Sequence, residues 1–161
     1  MESIRFEGAV STGNVKFDYG IRDIEVLQGN GDFAVFTSSG AYGGMTGYAV
    51  NGRGDLVQVD TQTYRPGNGA SLTVELTVQE AASGPNILVG GHGAGLVTSY
   101  DINLNGRISG GSNLGGINTA EGPQTAGLAV NDTVVLANSW GEGLEVYRAT
   151  GGRLNRTDTE G

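Results

Sequence analysis

A hairpin carrying a tyrosine returns about every fifty residues along this chain, at Tyr48, Tyr100 and Tyr147, with spacings of 52 and 47. Around each tyrosine the same order recurs. An apolar run (32–39, 86–93 and 133–140) is followed by a Gly-rich turn and the Tyr strand. A turn with Gly before Arg (Arg53, Arg107, Arg153) and a last strand complete the unit. A further strand precedes each apolar run, at 24–28, 72–78 and 126–130. Four strands in about fifty residues is the period of a propeller blade. A repeat of this kind cannot bury its apolar face alone and must stack on its neighbours. The expected fold is therefore all-β, with about three four-stranded antiparallel propeller blades in one repeat domain spanning 1–161. The units cover approximately 20–66, 70–117 and 123–161, and residues 1–19 supply leading strands placed to close a neighbouring blade. Three blades fall short of the usual ring of 4–8, so they belong to a larger propeller or are completed by oligomerisation. The chain end, inside or just after an expected outer strand, favours a piece of a longer polypeptide. A β-prism, which also uses three four-stranded sheets, is the structural alternative.

Local chemistry agrees with short strands. Thirty of 161 residues are Gly, against a usual share of roughly 7%, and no Gly-X-Y period accompanies them. No window sustains the 3.6-residue apolar period of a helix, whereas 71–78 alternates apolar and polar residues as a half-buried strand does. The apolar runs are continuous rather than alternating, which predicts burial on both faces between neighbouring sheets. Asn-Gly at 51–52 and 105–106 predicts two-residue hairpin turns. Gly90, Gly91, Gly93 and Gly95 predict a sharp turn before the second Tyr strand.

Seventeen acidic and nine basic residues give a net charge of −8. Such a surface repels phosphate backbones and anionic membranes, so no nucleic-acid partner and no membrane insertion are expected. The absence of cysteine removes disulfide frameworks and thiolate metal sites. Residues 1–7 lack the basic and apolar regions of a classical secretory signal.

The stretches 20–26, 33–38, 43–50 and 55–64 resemble the start of an N-terminal propeller-like region found in large secreted hemolysin-type (repeats-in-toxin) calcium-binding proteins of marine alphaproteobacteria. The stretch 96–108 also resembles the blades of lactonase-like propellers. The first resemblance implies export through a one-step secretion system that reads a C-terminal signal, consistent with the missing N-terminal signal and missing cysteine. The chain departs from that family in lacking Gly-Gly-x-Gly-x-Asp nonapeptides, so the family's calcium array transfers to no residue here.

Candidate chemistry is sparse. His92, the single histidine, has no second ligand or nucleophile pattern beside it and reads as a turn residue. Asp101, Asn103 and Asn105, with Gly106, match the first half of a calcium loop, but Ser112 stands where the bidentate Glu belongs. These three are the one metal candidate, set against a simple Asn-Gly turn, and no other cofactor is expected. Arg53-Gly54-Asp55 spells an integrin-binding tripeptide inside the repeated turn and reads as coincidence. Trp140 with Glu142 and Tyr147 is a candidate carbohydrate platform, set against packing at a blade edge. Asn131 and Asn155 head glycosylation sequons, which matter only in a secretory-pathway context. The pairs Asp18/Asp23 and Glu142/Glu145 read as solvated turn residues.

With no convergent catalytic set, the expected role is a non-catalytic structural, adhesion or surface-assembly module. It would be extracellular or at the cell surface, with further blades of a longer chain or identical subunits as partners. The alternatives are a structural component of a virus-like particle (hence a virion location), a lactonase- or hydrolase-like propeller enzyme, and a glycan-binding lectin.

Overall fold

The computed structural model describes residues 3–40, 43–64, 75–90, 97–115, 124–138 and 144–157. The all-β expectation holds: the described residues form three antiparallel four-stranded sheets and a single four-residue helix. The first sheet runs β1 (Ile21–Gly29), β2 (Asp32–Ser39), β3 (Gly44–Val50), β4 (Leu56–Thr63). The second runs β5 (Glu75–Ala81), β6 (Gly84–Gly90), β7 (Thr98–Ile102), β8 (Ile108–Asn113). The third runs β9 (Gln124–Val130), β10 (Thr133–Asn138), β11 (Leu144–Thr150), β12 (Arg153–Arg156). In each sheet the strands pair in chain order, so each unit is an open meander.

Turn chemistry sets these hairpins, though not where the sequence reading placed it. Asn30 and Gly31 both adopt positive φ (52° and 82°), as do Gly151 and Gly152 (59° and 74°), giving the two-residue turns of β1–β2 and β11–β12. Asn51-Gly52 and Asn105-Gly106 are not such turns. The β3–β4 and β7–β8 connections have five residues, and a side chain rather than a tight turn organises them. Asn51 Oδ1 accepts hydrogen bonds from the N–H groups of Arg53 and Asp55 (2.9 and 3.1 Å). Asn103 Oδ1 accepts from Asn105 and Arg107 in the same way (3.0 and 3.2 Å). The equivalent residues are thus Asn51 and Asn103, with Gly54 and Gly106 at positive φ. Arg53 and Arg107 are two places out of step, a shift that the recurring Gly-Arg pair conceals.

The sheets stack through two separate apolar cores. Leu27, Ala34, Phe36 and Met45 of the first sheet meet Leu76, Ile87, Val89, Tyr100, Ile102 and Ile108 of the second. Leu88, Val97 and Leu114 on the other side of the second sheet meet Val134, Leu136, Tyr147 and Leu154 of the third. Successive residues of a strand point to opposite faces, so β6 sends Ile87 and Val89 one way and Leu88 the other. All three are fully buried. This is the two-sided burial that the continuous run predicts. First strands adjoin first strands, β1 to β5 and β5 to β9, while the outer strands β4 and β8 touch sparsely. The sheets therefore fan out from a common inner rim.

Each recurring tyrosine is buried on the face turned away from the following unit. Tyr100 belongs to the core against the first sheet and Tyr147 to the core against the second. Tyr48, equally buried, pairs with Val35, while its neighbour Gly47 faces the second sheet. Tyr48 thus points to the side where no sheet precedes it. Residues 3–20 lie there instead. They form no strand, contrary to the expectation of leading strands. The helix α1 (Val15–Asp18), capped by Asn14 Oδ1 on the Lys16 N–H, packs on β2 and β3. Phe17 is buried against Gly44, and Ser39 Oγ donates to the Lys16 carbonyl (2.8 Å). The carboxylate of Asp18 accepts from Thr12 and Gly13 N–H groups at 2.9 Å, holding its pKa below the usual range and tying the segment into a loop.

Candidate functional site

The inner rim brings three carboxylates together at the seam of the first two sheets. Asp23 and Glu25 stand two apart on β1, so they share a face, and Glu75 begins β5. Asp23 Oδ2 accepts the Leu76 N–H across the seam (2.8 Å), and its Oδ1 accepts the Ile24 N–H (2.8 Å). Burial, with the nearby charges of Asp23 and Glu75, pushes Glu25 up to about 7. Burial and then Asp23 also raise Glu75. The cluster therefore carries a proton near neutrality. A fourth carboxylate, Asp60 of β4, closes the same seam at its outer end by accepting the Ile108 N–H (3.0 Å).

Asp23 is accordingly a seam residue and no turn residue, and it does not pair with Asp18, which lies in α1. Glu145 is likewise not solvated: it is buried on β11, accepts the Tyr147 hydroxyl and lies 3.7 Å from Arg156. Sequence spacing could not expose the Asp23–Glu75 juxtaposition, because the two meet only when one sheet packs on another.

The three metal candidates lie on or beside the β7–β8 loop. Asn103 spends its side-chain oxygen on the turn, Asn105 contributes its N–H to that turn, and exposed Asp101 lies near Gly110. Among the described residues no three His, Cys, Asp or Glu side chains are placed to hold a metal ion. Arg53 and Asp55 are exposed in the Asn51 loop. Asn131 sits at positive φ (53°) in the β9–β10 turn, where its carbonyl accepts Gln79 Nε2 (2.8 Å) and links the second and third sheets. Asn155 Nδ2 donates to Thr150 Oγ1 (3.2 Å). His92, Trp140 and Glu142 lie outside the described residues; Tyr147 is core.

Two other features have chemical content. A cleft of about 130 Å³ between the second and third sheets is lined by Gln79, Asn86, Ser99, Ser112, Thr150 and Arg153. Its walls mix amides, hydroxyls and Arg153 with Leu88 and Leu114, it admits a few waters, and the buried Asn86 Oδ1 has no hydrogen-bond partner among the described residues. The outer faces of the stack are apolar instead. On the first sheet Ile24, Val26 and Phe33 are 61, 45 and 38% exposed. On the third, Leu144 is exposed and Val135 and Val146 are half-buried.

No protein-family model matches this chain, and no curated protein resembles it significantly.

Proposed function

We propose that the chain is a non-catalytic structural module, an arc of a β-propeller that serves in adhesion or surface assembly outside the cell or on its surface. The observation that carries this reading is the fan. Three meanders radiate from their first strands, and the places that Ile87 and Leu88 bury fully within the stack are only half-buried at its ends, at Val35 and Val135. Two cores, one per seam, favour a radial arc over a prism, whose three sheets would share one core. Further sheets of the same kind are the natural partners, and the net charge of −8 disfavours nucleic acid. Antibody labelling of intact source cells and of particles released from them tests the role. Label confined to the cell interior would contradict it; label on the surface or on particles is the expected result.

A second reading, a hydrolase-like propeller, is favoured by one arrangement: Asp23, Glu25 and Glu75 gather at the inner rim, where burial and like charges push Glu25 up to about 7, a range suited to a general base. Turnover of chromogenic lactones or esters that Glu25→Gln abolishes would establish it; no turnover would end it.

A further inference from the structure

Each inner sheet shows how this molecule covers an apolar face. Aligned on the partners of the recurring tyrosines, Val35, Ile87 and Val134 occupy one place, Phe36, Leu88 and Val135 the next, and Thr37, Val89 and Leu136 the third. Ile87 and Val89 are buried against the preceding sheet, as are Val134 and Leu136. Their counterparts on the first sheet are Val35, half-buried on the outward face, and Thr37, buried beside the N-terminal segment; Phe33, on the same face two residues before Val35, is 38% exposed. Leu88, fully buried against the following sheet, has half-buried Val135 as its counterpart on the third. The two ends of the stack are thus the two halves of the interface that occurs twice inside it.

The N-terminal segment narrows the available surface. Its helix and the loop near Gly54 cover the outer half of the first sheet, over Tyr48 and Thr46. The inner half, with Ile24, Val26, Phe33 and Val35, stays open. In so acidic a chain, contact between two copies needs faces without carboxylates. The residues sharing the open face on β1 and β2 are Ile24, Val26, Gln28, Phe33, Val35 and Thr37, and those on β10 and β11 are Thr133, Val135, Leu144, Val146 and Arg148. Neither set holds an acid.

We propose that the inner half of the first sheet's open face receives the third sheet's open face from a second copy of this chain, and that two arcs close one ring. The proposal rests on the propeller reading, because rings of 4–8 sheets built from units of three admit only six. Val135 of one copy then lies against Val35 of the other, beside Phe33, as Leu88 clusters with Val134 and Leu136 within the chain.

Light scattering on the intact protein, together with Val35→Cys/Val135→Cys under mild oxidation, tests this. The chain has no other cysteine, and the second sheet separates the two positions, so a disulfide joins only different copies. The expected results are twice the mass of one chain, a cross-linked product that stops at two copies, and a Phe33→Glu variant of single-chain mass with unchanged far-UV circular dichroism. A ladder of three, four and more copies would overturn ring closure and the propeller reading with it. A single-chain mass at all concentrations without cross-linking, from protein with normal β circular dichroism, would overturn the docking and leave the arc reading standing. If the double-cysteine variant does not fold, the mass of the intact chain alone decides between the two.

Discussion

Gly47 shows how closely the sheets approach. A Cβ there would lie 2.0 Å from the carbonyl oxygen of Gly106, which is backbone and cannot swing aside. Gly47→Ala should therefore destabilise the fold by about 1–3 kcal/mol, the usual cost of overpacking, read from urea unfolding. Glu25 sets a pH dependence of definite sign. Its folded pKa, about 7, exceeds its ordinary 4.5, so the folded state holds the proton more tightly. That stabilisation is full below pH 4.5 and is lost as pH rises through 7; Glu75, raised as well, acts in the same direction. The thermal midpoint should accordingly be higher at pH 5 than at pH 8, and Glu25→Gln should remove most of the difference. A midpoint that climbs from pH 5 to 8 would contradict the placement of these carboxylates. Neither effect was legible in the sequence. Gly47 and Gly106 lie 59 residues apart and Asp23 and Glu75 lie 52 apart, and only sheet packing joins them.

The elements themselves were largely legible. Alternation in some stretches and continuous apolar runs in others located the strands. The run ending in Ile87, Leu88 and Val89 also foretold a strand covered on both sides. On β2 the counterpart of Ile87, Val35, is only half-buried, because no sheet precedes it. Leu88→Ala should cost about 2–5 kcal/mol, while Val135→Ala at the matching place should cost clearly less in dilute, single-chain solution; equal losses in urea titrations would refute the equivalence. The β3–β4 and β7–β8 connections were misread, because Asn-Gly is a strong signal for a two-residue turn and hides an Asn that organises five residues. Asn103→Ala removes two exposed hydrogen bonds and should cost about 1 kcal/mol. Asn105→Ala keeps both, since Asn105 contributes only its backbone N–H, and should be nearly neutral in the same titration.

For the molecule as a whole, the repeat announced itself at the Tyr spacing, but the role of residues 3–20 did not. Read as leading strands, they instead lay a short helix across Tyr48 where a preceding sheet would stand. Sequence alone does not show that a non-strand segment fills a strand's place. The central claim is the order of packing, first sheet on second and second on third, with first and third apart. Spin labels at Asp32, Ser83 and Thr133, near the first hairpin of each sheet, measure that order directly when labelled chains are diluted with unlabelled ones. Facing sheets lie about 10 Å apart. The fan therefore predicts similar distances for 32–83 and 83–133, with 32–133 distinctly the longest; three equal distances would contradict it.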